Sequence, residues 1–479
     1  MPALRSPATD PCLLDARDLL ERLRRRELSA REVMAAHLAR IERINPRLNA
    51  IVALLDGDAA LALADEADAR LMRGEPVGPL HGLPFAFKDM QPAVGFPCTM
   101  GSPILRNSRP LADSVLVERI RRAGALPIGK TNVPEFGLGS HTYNAVYGTT
   151  RNPWNLEKSA GGSSGGAGAA LAANLLPLAD GGDMGGSLRN PANFNNVVGL
   201  RPSPGVVPNA PSALPFENLS VSGPMARTVA DTAFLLSVIA GGDARDPASL
   251  PIDPARFAEP LGRDFAGVRV AWCPDLGGLP LDRRVRTVLE ARSKVFEELG
   301  CIVEEAQPDL RDADEIFLAL RAFSVATLLG PLLERHRDQL KPEAIWNIEQ
   351  GLALSGADVG RAMTMQAALL GRMRRFFERH DFLLCAVNQL PPFDAAIDWP
   401  KAIEGVAMQH YIAWMKSAYW ISATLQPAIS VPAGFTPEDL PVGIQIVGRA
   451  RDDRGVLELA HAFEEATGFG RRRPPLAQA

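Results

Sequence analysis

The 479-residue sequence predicts an α/β fold built on one sheet that distant segments close. Three observations carry that expectation. Short apolar runs near the C-terminus, Ala428–Val431 and Val442–Val447, read as strands, and a third, Ala50–Leu55, stands near the N-terminus. Between Leu80 and about Val207, glycine, serine and asparagine gather in loops between short apolar runs, as they do where α/β enzymes carry their sites. Elsewhere apolar residues recur at helical spacing. Strands at both ends, with no internal repeat or low-complexity linker, read as a single domain over 1–479.

In chain order, residues 1–75 form a helical arm. Leu13–Arg26 carries apolar residues on one helical face. Ser29 and Glu32 make a capping box in front of a helix over Ala30–Asn45, and Asp58–Met72 is an alanine-rich helix. The arm holds no polar cluster suited to chemistry. The polar loops fill 80–207. Residues 250–410 are more helical and more charged, as in Arg283–Leu299 and Ala367–His380, and 411–470 return to strands.

Composition narrows the function. Hydrophobic residues make up 46% and charged residues 22%, ordinary for a chain with a substantial core. A formal charge of −4 argues against a dedicated nucleic-acid surface. Arg24–Arg26 is flanked by Glu21 and Glu27 on a solvated helix face, and Arg471–Arg473 lies in a proline-containing tail. Five cysteines (Cys12, Cys98, Cys273, Cys301, Cys385) show no C-x-x-C spacing, which fits a reducing compartment. Met1–Arg5 leads into no apolar signal segment, and no apolar run approaches the ~20 residues of a membrane span. The expectation is a cytoplasmic protein without a membrane or nucleic-acid partner, in which Asn218-Leu219-Ser220 is not a glycosylation site.

Two patterns match motifs whose context they lack. Gly124–Thr131 satisfies G-x-x-x-x-G-K-[ST], but a helix over Ser114–Ala123 precedes it. Leu126-Pro127-Ile128 reads as a strand inside it, and Pro127 has no N–H to offer a phosphate. Gly161–Gly165 satisfies G-x-S-x-G, yet Asn152–Ser159 forms no strand to lift Ser163 into a nucleophile elbow. An esterase of the α/β-hydrolase type, with Ser163 as nucleophile, stays as an alternative because a triad histidine needs no local motif.

Residues 161–192 read better as one unit. A glycine–serine turn opens a small-residue helix (Ala167–Ala173), a strand follows (Leu175–Ala179), and a second glycine turn presents Ser187. There Met184, Gly185, Gly186 and Ser187 can aim successive N–H groups at one point, as an oxyanion hole does. Glycine accepts positive φ and lets a substrate approach the backbone.

This stretch resembles the glycine/serine-rich signature of the amidase signature family. Ser163 and Ser187 stand 24 residues apart, and Ser187–Pro191 reads Ser-Leu-Arg-x-Pro. Leu80–Asp89 supplies the L-x-G-x-P-x-x-x-K-D context, with Lys88 75 residues before Ser163. Gly129–Asn132, Thr150–Trp154, Ser222–Pro224 and Pro427–Pro432 are also family-like. The resemblance covers about residues 15–240 well and the last 65 or so moderately.

It implies the amidase signature fold, a large mixed β-sheet core covered by helices on both faces. It further implies a Ser-cisSer-Lys triad: Ser187 as nucleophile, Ser163 as bridging serine, Lys88 as base. Lysine serves as a base only when desolvation or a cationic neighbour lowers its pKa. Phe85 and Phe87 are apolar neighbours in sequence, though strand alternation directs them away from Lys88. Ser164 reads as turn support or a second relay, Asp183 and Arg189 as a stabilising pair or an acid site, and His141 as a substrate contact or a hydrogen-bonded loop residue.

By the same resemblance, Phe136, Gly137, Leu138 and Gly139 line the acyl side of the pocket. The activities implied are those of amidases, aryl acylamidases and carbamate-cleaving urethanases, with possible ester cleavage; the glutaminase component of a tRNA-dependent amidotransferase is the other reading. Family glutaminases carry an acid near the position of Met415, whereas His410–Trp420 holds four aromatic residues and no acid, which favours an apolar or aryl substrate. No metal-ligand motif occurs and no cofactor is expected. The expectation is a monomer or homodimer that hydrolyses small to medium amides, anilides or carbamates.

Overall fold

A computed structural model describes residues 10–478; Met1–Arg5 lies outside the described residues. Three short strands come first: β1 (Ile51–Val52), β2 (Pro84–Lys88) and β3 (Leu126–Thr131). They form their own sheet in the order β1-β3-β2, with β2 parallel to β3. The large mixed sheet has eight strands. These are β4 (Leu178–Asp183), β5 (Val198–Arg201), β6 (Val221–Ala226), β7 (Arg269–Trp272), β8 (Ile302–Glu305) and β9 (Phe382–Ala386), with two from the C-terminal part. A minor hairpin of β10 (Ala402–Ile403) and β11 (Val406–Ala407) lies apart, and β12 (Ala428–Phe435) and β13 (Pro441–Gly448) follow.

The order in the large sheet is β4-β6-β5-β12-β13-β9-β7-β8. C-terminal strands therefore sit at its centre, between strands of the serine-rich region and strands of the middle. The expectation of one sheet is corrected in one respect: the N-terminal strand does not join it. Ile51 and Val52 pair with Thr131 and Lys130, so the hydrogen-bonding edge of that segment is used in the small sheet.

Strand alternation divides the core between the faces of the large sheet. Ile429, Val431 and Ala433 of β12, with Val442, Ile444 and Ile446 of β13, pack with Leu457 and Ala460 of the helix Asp453–Thr467. Ala428 and Val447 enter a second core with Phe194 of the helix Arg189–Asn195 and with Trp414. Residues as distant as Ala16 and Leu476 share the first core.

Several predicted elements shift at their ends. The first two helices span Ala16–Arg24 and Ala30–Leu48; the second has the expected Ser29–Glu32 capping box and carries Pro46 in its last turn. The segment Arg283–Leu299 is two helices, Arg283–Glu290 and Ser293–Glu298. The strand expected at Leu175–Ala179 runs instead over Leu178–Asp183. Its Gly181 and Gly182 resemble a turn in sequence, yet they pair with Gly223 and Ser222. A Cβ on Gly181 would lie 2.5 Å from Leu188 and 2.7 Å from Ser164 Oγ, so this glycine lets the serine loop pack onto the strand.

One expectation about membranes is also corrected. The segment Ala313–Gln339 is long and apolar enough by composition to cross a membrane; 44% of its most apolar window is buried inside the protein. Arg321 interrupts the run in sequence and hides its length. All five cysteines are unpaired.

Candidate active site

Lys88 ends β2 and is fully buried, 2% exposed. Its backbone N–H donates to Asp180 Oδ1 of β4 at 3.0 Å. Its Nζ donates to Ser163 Oγ at 2.8 Å, Ser164 Oγ at 3.0 Å and the Gly182 carbonyl at 3.3 Å. Burial lowers the Lys88 pKa to about 8, against partial support of the ammonium by Asp180 and Asp183. Phe85 and Phe87 pack on each other with ring centroids 5.2 Å apart; alternation places them on the strand face opposite Lys88. The serine loop and Gly182 of β4, rather than those rings, surround the amine.

The Gly162–Ser163 peptide bond is cis. Its loop is held from outside: Ser140 Oγ donates to the Gly162 carbonyl at 2.5 Å and Thr142 Oγ1 to the Gly161 carbonyl at 2.8 Å. The helix Gly165–Ala172 begins just beyond, two residues earlier than Ala167–Ala173. A Cβ on Gly166 would fall 2.3 Å from the Asn132 nitrogen, so only glycine admits this approach to the end of β3. Ser164 meets Lys88 and also accepts from Gly182 N–H at 3.4 Å, more contact with the site than a turn residue requires.

Ser187 stands in the turn between β4 and the helix Arg189–Asn195. Strand, tight turn and helix thus frame Ser187, the context that Ser163 lacks in sequence. The Ser187 carbonyl accepts from Ser164 N–H at 3.2 Å, which ties the two serine loops together. The Ser187 side chain faces a cavity that Lys88 and Ser163 also line.

The turn Met184–Ser187 offers fewer donors than its four N–H groups. Gly186 N–H is taken by Asp183 Oδ1 at 2.8 Å, and Leu188 N–H by Asp183 Oδ2 at 3.2 Å. Met184, Gly185 and Ser187 line the cavity, whereas Gly186 does not. Asp183 and Arg189 do form the stabilising pair: Arg189 donates to both carboxylate oxygens at 3.0 Å. Arg201 of β5 adds a second guanidinium at 3.2 Å, and all three side chains are buried. Burial alone would raise the Asp183 pKa, yet Arg189 and Arg201 hold it well below the usual carboxylate range. Arg189 also donates to the Ala418 carbonyl at 2.9 Å and to Ser422 Oγ at 2.8 Å, which anchors the turn to the C-terminal helix Lys416–Ala423.

The cavity has a volume of about 600 Å³. Phe136, Gly137, Leu138 and Gly139 all line it. Phe136 and Gly137 adopt φ of 51° and 69°, and Phe136 N–H donates to the Met100 carbonyl at 2.7 Å. Most remaining lining is apolar, including Met90, Phe317, Val325, Leu328, Ile412 and Met415. Among the described residues, the only acid on it is Asp183, already held by two arginines.

His141 lies outside this cavity. Its Nε2 faces the Ala395 carbonyl at 3.2 Å and its Nδ1 faces Ser159 Oγ at 2.8 Å; burial lowers its pKa to about 4. It is the hydrogen-bonded loop histidine. The nucleotide-type pattern is settled likewise: Lys130 Nζ is buried and donates to the Gln91 carbonyl at 2.5 Å, inside β3. Among the described residues, His461, Glu464 and Glu465 could place ligand atoms within 4.8 Å of one another. Glu464, however, accepts the Val229 N–H at 3.0 Å and serves as a helix cap.

Several contributors have no signal in a local motif. Asp180 and Arg201 flank Ser187 in sequence but stand outside the motifs, and the β4–β6–β5 pairing sets them beside the site; Arg321 comes from the distant long helix Ala313–His336. Burial pushes Asp180 up to about 6, and its Oδ2 has no partner.

The chain matches the Amidase family over residues 32–457. It is 36% identical over 463 residues to an acylamidase of Rhodococcus erythropolis, covering 96% of this chain and 97% of that protein. It is 34% identical over 490 residues to a component of the glutamyl-tRNA(Gln) amidotransferase of Carboxydothermus hydrogenoformans, covering 97% and 99%. The crystal structure of a bacterial aryl acylamidase of the amidase signature family superposes with a TM-score of 0.88 at 30% identity, covering 96% and 99%. The chain belongs to the amidase signature family, and is a hydrolase of that family acting on C–N bonds.

Proposed function

We propose that this protein hydrolyses small to medium amides with an apolar body, anilides among them and carbamates as a side activity, through an acyl-enzyme on Ser187. The observation that carries the reading is Lys88 Nζ, buried and 2.8 Å from Ser163 Oγ, beneath a largely apolar cavity that Ser187 also lines. Ser187 Oγ attacks the carbonyl carbon and gives its proton to Ser163 Oγ, while Ser163 gives its own to Lys88 Nζ. N–H groups of the Met184–Ser187 turn receive the charge that develops on the carbonyl oxygen. The proton returns by the same path to the leaving nitrogen as the C–N bond breaks. Water then attacks the acyl group, its proton going through Ser163 to Lys88. Ser187 recovers its proton as the acid departs.

The glutaminase reading meets an obstacle in the lining. Free glutamine brings an ammonium group, and the sole acid among the described lining residues is already paired with Arg189 and Arg201.

The test is turnover of a butyryl anilide, an aliphatic amide, a phenyl carbamate and glutamine against pH. Lys88 acts as a base only when neutral, and burial places its pKa at about 8. Log kcat/KM for the anilide is expected to rise with unit slope up to about pH 8 and to level off above it. A flat profile from pH 6 to 9, or turnover confined to glutamine, would overturn the reading.

A further inference from the structure

Of the cations that line the cavity, Lys88 is occupied by the serines; Arg321 is not matched in that way. Its side chain is 6% exposed, and no carboxylate among the described residues lies within 4.0 Å of it. The groups that accept from it are neutral: Asn347 Oδ1 and the Tyr411 hydroxyl. Nearby anions are engaged elsewhere. Glu343 accepts from the Tyr143 hydroxyl at 3.3 Å, and Glu135 accepts from Ser102 Oγ at 2.7 Å and Lys341 N–H at 3.0 Å. A guanidinium has five N–H donors. Asn347 and Tyr411 account for two of those donors, and the unpartnered Nε is not buried, in a residue that lines the cavity.

Its position along the cavity follows from the long helix. Phe317, Arg321 and Val325 repeat at helical spacing on the lining face. Phe317 reaches the Ser187 turn, where a Cβ on Gly185 would lie 2.8 Å from its ring. Arg321 is about one turn further, about 6 Å along the axis. The Tyr411 ring packs over Gly139, where a Cβ would meet it at 3.4 Å, so the loop beside Ser163 leads to the same guanidinium. A buried cation in apolar surroundings is stabilised by an opposite charge, and carboxylate geometry suits a guanidinium.

We propose that Arg321, held by Asn347 and Tyr411, receives a carboxylate carried by the substrate a few bonds from the scissile carbonyl. The preferred substrate is then an amide with an apolar body and one anionic end. This deepens the amidase reading and rests on it for the site, though its test does not need turnover.

Binding is measured by calorimetry in the Ser187→Ala protein, which holds amides without cleaving them. One pair of probes places the charge on the acyl side: the 4-nitroanilides of glutaric and pentanoic acids. The other places it on the amine side: 4-acetamidobenzoate and 4-methylacetanilide. In one pair the carboxylate member is expected to bind about tenfold tighter or more. Arg321→Met should abolish that preference, and Arg321→Lys should keep part of it, which a purely structural tie would not. Equal or absent binding of both carboxylates with Arg321 in place would overturn the proposal, as would a preference that survives Arg321→Met. Failure of the unsubstituted protein to turn over any amide would count against the amidase reading and leave the binding result standing.

Discussion

Replacing Lys88 with methionine will lower kcat/KM for amide hydrolysis by about 10³-fold, within the range set by loss of a positioned base. Methionine keeps the length and apolar character of the lysine stem and removes the amine that meets Ser163. Lys88→Arg will be as inactive, because a guanidinium stays protonated throughout the accessible pH range and cannot accept a proton. That pair of substitutions separates proton transfer from charge: if positive charge alone mattered, the arginine protein would retain most of its activity. Steady-state kinetics above pH 8, where Lys88 is mostly neutral, give the largest difference.

The second large effect falls on stability. Asp183→Asn will destabilise the fold by about 3–5 kcal/mol in urea unfolding, because it leaves Arg189 and Arg201 buried without their shared counter-charge. Arg25→Ala, which removes an exposed partner of Glu21, will cost less than about 1 kcal/mol. The sign with pH follows from the depressed Asp183 pKa. Its stabilisation is complete above the ordinary carboxylate range and is lost as pH falls through roughly 4 and below. A loss under about 1 kcal/mol for Asp183→Asn would mean that the arginines are satisfied by Ala418, Ser422 and Leu219 alone.

The parts of the site that were legible in sequence are those that lie in continuous motifs. Ser163 and Ser187 stand in turns rich in glycine, Lys88 ends a short strand in its own motif, and the folded chain brings the three side chains to one cavity. The Ser29–Glu32 cap and the strands around Ala428–Val431 and Val442–Val447 were legible because each depends on neighbours a few residues away. The strand before Ser187 was misplaced because Gly181 and Gly182 lower strand propensity, while in the fold Gly181 admits Leu188 and Ser164 and Gly182 faces Lys88 Nζ. Gly186 was expected as an oxyanion donor, but its N–H goes to Asp183, a preference that only the folded turn reveals. Arg321 and Tyr411 are 90 residues apart, and Arg189 and Gln445 are 256 apart. Such pairs are products of topology, and single-sequence periodicity carries no information about them.

The most direct test of the account is intact-mass spectrometry of protein quenched during turnover of an acyl anilide, followed by peptide mapping. The account predicts an acyl adduct on the peptide at Ser187, absent from Ser187→Ala and slow to form in Lys88→Met. An adduct on Ser163, or unimpaired turnover by Ser187→Ala, would contradict it.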